Sequence, residues 1–171
     1  TETVGLKSKK HGIPVLLNAA PAEPIPNSWW DWIEILVVNQ VEATGLSGIK
    51  INDITDSFRC LKILQQRCKN TVITLGENGL VYGIGSVFKH VDAHPVKSVS
   101  SLGAGDAFVG VMAAELCQKN DLTKSIFIAS LAAAGSVTSS GAQTSYLTPL
   151  QLKNIPELGE KYMSATKLNQ Y

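Results

Sequence analysis

Two kinds of apolar pattern share this chain. Residues 13–17, 33–38 and 71–75 are short, largely apolar runs bounded by turn residues, the pattern of strands buried in a sheet. Between them the apolar positions space out. A segment starting at Asp53 or Thr55 and running to Lys69 repeats Phe58, Leu61, Ile63 and Leu64 near the helical period. Residues 28–32 suit a short amphipathic helix whose tryptophans, Trp29, Trp30 and Trp32, cover the core, and another helix is expected from Asn39. Residues 80–84 and 87–91 read as a hairpin turning at Gly85-Ser86. After a segment from Val96 to Val99, the stretch from Ser100 to Asp106 opens a helix through Cys117, followed by an Ala-rich helix from 122 to about 139. The tail from Thr148 has room for one or two short helices. Residues 1–12, polar and basic, resemble the end of a helix closing at Gly12. Strands alternating with helices, with no repeat or linker, predict an α/β layered fold around a largely parallel sheet.

Composition narrows the class of function. Of 171 residues, 44% are apolar, enough for a sizeable core, and 15 Lys+Arg against 14 Asp+Glu leave a formal net charge of +1. That balance argues against disorder, and against nucleic acid or an anionic membrane as partner, since both need clustered basic charge. A soluble protein handling small molecules fits better. The cysteines Cys60, Cys68 and Cys117 lack metal-like spacing; Cys60 and Cys68, eight apart in a helical stretch, read as small buried residues. No apolar run reaches the roughly 18 residues of a spanning helix and no leader pattern is visible, so a reducing, cytoplasmic setting is expected. His11, His90 and His94 show no ligand spacing and are expected on the surface or in turns.

Three segments carry candidate chemistry. Gly103-Ala104-Gly105-Asp106 stands at a loop-to-helix junction, where glycines admit a close ligand and helix N–H groups face an anion. A carboxylate there can take the proton of an attacking hydroxyl; spacing alone, however, favours Asp106 as a helix cap. Asn39-Gln40-Val41-Glu42 reads as a capping box, or as a polar pair at a strand's carboxyl end where Glu42 orients magnesium-bound water. Thr74, Leu75, Gly76, Glu77, Asn78 and Gly79 form a turn with or without a nucleotide beside it. A dinucleotide fingerprint fails at Phe108, and no Gly-Lys-Ser/Thr phosphate loop exists. Three such signals at three strand ends on one side of a sheet describe a nucleotide pocket.

In order and spacing, these segments resemble the ribokinase family of sugar kinases. The likeness runs from about Gly12 to Leu150, through Asn18-Ala19-Ala20-Pro21-Ala22, Asn39-x-x-Glu42, residues 72–79, residues 103–108 and Gly141-Ala142-Gln143-Thr144-Ser145, and is strongest to the family's ribokinase branch. The resemblance implies a ribokinase-like three-layer α/β fold with a mostly parallel central sheet. It also implies an ATP-dependent kinase whose first substrate is ribose, giving ribose 5-phosphate, with another sugar or nucleoside as the alternative. In that family pattern Asp106 is the catalytic base, also touching the sugar, and Gly103, Ala104 and Gly105 form the anion hole. Asn39, the 74–79 segment and Ser130, near the adenine, hold ATP, and Glu42 acts on Mg2+ through water. The positions matching the family's K+ site are Ser100, Leu102, Ser136, Ser139, Gly141 and Ser145. Ser100-Ser101-Leu102 stands where the family has Asp-Thr-Thr, so a neutral hydroxyl replaces a carboxylate beside the cation.

The same resemblance covers only the family's carboxyl-terminal half. The expectation is a single incomplete domain, 1–171, lacking the amino-terminal half, its lid and most sugar contacts. Such a piece is expected to associate with itself or with the missing half through an open sheet edge. A non-catalytic remnant that binds nucleotide or a partner is the reading from a different class.

Overall fold

A computed structural model describes residues 1–167, which divide into two compact units, 1–92 and 93–167. In the first, a five-stranded sheet runs in sequence order: β1 (Leu16–Asn18), β2 (Ile35–Asn39), β3 (Asn70–Thr74), β4 (Leu80–Ile84) and β5 (Val87–Val91). β1, β2 and β3 are parallel, and the β4–β5 hairpin extends the sheet antiparallel. Three helices belong to this unit: α1 (Glu2–Lys10), α2 (Gln40–Ser47) and α3 (Ile54–Leu64). Leu36, Val38, Ile73 and Val81 pack with Ala43 of α2 and with Cys60, Leu61 and Leu64 of α3. On the alternate positions of the same strands Ile35, Val37, Val72, Leu80 and Tyr82 are buried too. Burial of both faces is why the central strands read as continuous apolar runs rather than as alternation.

The second unit is helical: α4 (Ala104–Cys117), α5 (Leu122–Ser136), α6 (Pro149–Lys153) and α7 (Pro156–Lys167). Ile128 and Leu131 of α5 share a core with Leu152, Leu158, Tyr162 and Ala165. Local chemistry sets the starts of these helices. The Asp121 carboxylate accepts from the Lys124 N–H at 2.9 Å, and Thr148 with Gln151 forms a capping box around Pro149 at the first helical position.

Several elements differ from the sequence reading, for identifiable reasons. β1 starts three residues later than the apolar run, because Ile13 turns its N–H back to Ser8 O (2.9 Å) and stays 58% exposed. α3 stops at Leu64, where Gln66 and Arg67 bond carbonyls three residues back and tighten the chain into a turn. Cys68 thus lies beyond the helix, although it is buried as Cys60 is. Residues 28–32 form only a short 3-10 turn at Asn27–Trp29, with the Trp29 and Trp32 rings 5.3 Å apart. Residues 96–99 are not a strand; Val99 merely donates to Val137 O at 2.7 Å. The Gly103–Asp106 segment therefore follows a loop, and two of the three candidate segments, not three, stand at strand ends. The hairpin and the two tail helices fall where expected. Among the described residues, no helix is long and apolar enough to cross a membrane.

Candidate active site

Asn39 and Thr74 end neighbouring parallel strands and are register partners, so the sheet itself brings two of the candidate segments side by side. Asn39 caps α2: its Oδ1 accepts from the N–H groups of Val41 (2.8 Å) and Glu42 (2.9 Å). Glu42, 5% exposed, answers with both oxygens, Oε2 accepting from Asn39 N (2.8 Å) and Oε1 from Asn39 Nδ2 (2.9 Å). The capping box read from the spacing is thus present in full. Each Glu42 oxygen keeps a lone pair, which suits a water carried by a hydrated Mg2+ rather than direct ligation. Among the described residues no group of three or more His, Cys, Asp or Glu could hold a metal, so any ion here relies mostly on water and ligand oxygens. Thr74 donates to Val38 O at 3.4 Å. Beyond it a 3-10 turn at Gly76–Asn78 is closed by Leu75 N–H to Gly79 O (2.8 Å), with Gly76 and Gly79 at positive φ. Leu75 is buried, while Gly76, Glu77 and Asn78 are exposed.

In the second unit, Gly103 (φ 81°) makes the turn into α4. A Cβ there would lie 3.0 Å from Tyr146 Oη and 3.1 Å from Ala142 Cα, so the position needs both the φ and the space of glycine. Gly105, in the first turn, faces open space. Asp106 is the third residue of the helix and caps nothing: Gly103 holds the cap position with no side-chain bond. Among the described residues the exposed Asp106 carboxylate has no hydrogen-bond or ion-pair partner. The N–H groups of Gly103, Gly105 and Asp106 likewise have no acceptor there, whereas Ala104 donates to Ser101 O at 3.2 Å. An unengaged carboxylate beside unengaged N–H donors at a helix start is arranged for a hydroxyl next to an anion.

The cation candidates lie on two adjoining segments of this unit. Val99 and Ser100 both donate to Val137 O, and Ala142 and Tyr146 touch the Gly103 turn. Ser136 and Ser145 are fully buried, their hydroxyls donating to Ala133 O (2.8 Å) and Ala142 O (2.7 Å). Ser100 Oγ accepts from Leu102 N–H at 3.3 Å. Gly141 (φ 105°) turns the chain so tightly that a Cβ would strike Thr144 Oγ1, and Ser139 is half-buried beside it. The Ser136 and Ser145 hydroxyl protons point at protein carbonyls, leaving oxygen lone pairs of the kind a weakly hydrated monovalent cation takes.

Ser130 is not an isolated hydroxyl, and its neighbour corrects the sequence reading of His94 as a surface or turn residue. His94 is 9% exposed, with Nε2 2.9 Å from Ser130 Oγ, Nδ1 3.4 Å from Lys161 Nζ, and the ring edge-on to Phe127 at 5.7 Å. Burial, and then the Lys161 charge, lower its pKa to about 4. His94 and Ser130 stand 36 residues apart, so no local pattern signals the pair.

A model of the pfkB family of carbohydrate kinases matches residues 6–149. The ribokinase of Staphylococcus aureus (strain COL) is 34% identical over 140 residues, covering 81% of this chain and 46% of that protein. The deoxyribokinase of Salmonella typhi is 36% identical over 155 residues, covering 89% and 50%. The structure of Arabidopsis thaliana ribokinase complexed with ribose and ATP superposes with a TM-score of 0.79 at 25% identity, covering 98% of this chain and 51% of that one. The fold is thus the ribokinase-like α/β fold, and the chain spans about half the length of the curated relatives it matches. A family match over most of the chain, with the same fold in a solved relative, places this protein in the pfkB family of carbohydrate kinases.

Proposed function

We propose that this chain is the ATP-binding part of a kinase that phosphorylates the hydroxymethyl group of a free sugar, ribose first, to ribose 5-phosphate. The observation that carries the reading is the Asp106 carboxylate in the first turn of α4, unpartnered among the described residues, next to the N–H groups of Gly103, Gly105 and Asp106, which have no acceptor there. Asp106 accepts the hydroxyl proton as the sugar oxygen bonds to the γ-phosphorus and the β–γ bridging oxygen leaves with ADP. Charge on the phosphoryl group in flight is met by the N–H groups of the helix start, Ala104 joining by sharing the donor it gives to Ser101 O. Following the family pattern, Asn39 and the 74–79 turn are nucleotide contacts of the first unit and Ser130 is one of the second. Glu42 would orient a water of Mg2+, which when bound would neutralise phosphate charge. Ser100, Leu102, Ser136, Ser139, Gly141 and Ser145 would hold a K+ ion, which would steady the loop before α4, more weakly than with a carboxylate at position 100.

A deoxy sugar is the second reading, favoured by the identity to a deoxyribokinase. Self-association, or pairing with a further stretch of sheet, belongs to the same proposal, because among the described residues β1 ends the sheet with its outer edge unpaired. The test is ADP release from Mg-ATP over ribose, deoxyribose, other sugars and nucleosides, with and without K+, using this chain and an amino-terminally extended form. Ribose-dependent release supports the proposal. ATP binding without release on any acceptor overturns it in favour of a non-catalytic nucleotide-binding protein.

A further inference from the structure

We infer that His94 is a positioning residue that fixes Ser130 as a pure hydrogen-bond acceptor, so that the site selects a purine presenting an amine over one presenting a carbonyl. The inference rests on the reading of Ser130 as a nucleotide contact and adds to it which base edge is recognised.

The proton accounting is closed at every atom but one. The Lys161 ammonium has donors only, so with Nζ at 3.4 Å the His94 Nδ1 is the acceptor and the ring proton sits on Nε2. Nε2 then donates to Ser130 Oγ at 2.9 Å. Ser130 has a single proton, and it goes to Phe127 O at 2.7 Å. The opposite tautomer would aim Nδ1–H at an ammonium and set Nε2 competing for the serine proton. A neutral ring is assured at ordinary pH by its lowered pKa of about 4. Ser130 Oγ is left with one lone pair and no donor, on a half-buried side chain. The 6-amino group of adenine can donate to that lone pair, whereas the 6-carbonyl of hypoxanthine or guanine meets it oxygen to oxygen. Sites built around a buried hydrogen-bonding group discriminate strongly against a partner that cannot complete the bond.

The experiment is equilibrium titration of the full chain with ATP and with ITP, which differ at this edge of the base. The unsubstituted chain is expected to bind ATP about tenfold or more tightly than ITP. His94→Leu, with no donor toward Oγ, frees the hydroxyl to turn and is expected to bring the two affinities to within about threefold. His94→Gln, whose amide can donate, keeps most of the preference. Ser130→Ala, which leaves His94 in place, removes it by a second route. Thermal unfolding of each variant checks that it is folded. A folded His94→Leu with unchanged preference, or equal binding of ATP and ITP by the unsubstituted chain, overturns the inference while leaving the nucleotide site standing. Binding of neither nucleotide overturns the reading of the site and this inference with it.

Discussion

Glu42 gives both carboxylate oxygens to one residue, Asn39, taking its backbone N–H at 2.8 Å and its side-chain amide at 2.9 Å. Asn39 cannot rotate to accommodate a change, because its own Oδ1 holds the N–H groups of Val41 and Glu42. Glu42→Gln therefore sets an amide N–H against an amide N–H whichever way the new side chain serves the backbone. The expected cost is about 1 kcal/mol of stability, read as a lowered urea midpoint. If Glu42 also orients a magnesium-bound water, the same variant needs about tenfold more Mg2+ for half-maximal activity. A shifted midpoint with unchanged Mg2+ dependence would assign Glu42 to the cap alone.

Two glycines of one motif are expected to respond in opposite directions. Gly103→Ala forces a side chain into positive φ against Tyr146 and Ala142, and is expected to destabilise by about 1–2 kcal/mol. Gly105→Ala meets open space in a helical turn, so its stability is expected to hold or to rise by up to about 0.5 kcal/mol, read as an unchanged or higher melting temperature. Its methyl group nevertheless stands where a phosphate must approach, and phosphoryl transfer is expected to fall by about tenfold or more. A Gly105→Ala protein with full activity would remove the anion from this helix start.

His94 makes stability depend on acid. Its folded pKa of about 4 lies below the ordinary histidine value of 6.5, so between these the unfolded chain binds the proton that the folded one refuses. Stability contributed by the neutral ring is complete above pH 6.5, declines as pH falls and is gone below about 4, a total of about 3 kcal/mol. His94→Gln has no proton to bind, and its urea midpoint should fall less steeply over this range. Parallel midpoint curves for the two proteins would show that the buried ring is not the source.

What the sequence reveals divides by range. The Asn-x-x-Glu cap, the hairpin about Gly85-Ser86 and the glycine turn into α4 are legible because each is specified within a few residues. Boundaries set by competing backbone partners are not: Ile13 sits in an apolar run but bonds back to Ser8, and the helical pattern past Leu64 yields to a turn. Asp106 is a good cap residue by composition, yet Gly103 takes the cap and, among the described residues, the carboxylate stays unengaged. His94 was invisible, since its partners Phe127, Ser130 and Lys161 lie on α5 and α7, far along the chain.

The central claim is that Asp106 is the base of a phosphoryl transfer. Its most direct test is Asp106→Asn, compared with the unsubstituted protein for ribose-dependent ADP release and for ATP affinity, in the form of the chain that shows turnover. The side chain is exposed and, among the described residues, unpartnered, so the fold should be untouched. The account predicts a loss of about 100-fold or more in release, with ATP affinity within about threefold. Release that survives the substitution would contradict it and return Asp106 to the surface of a helix start.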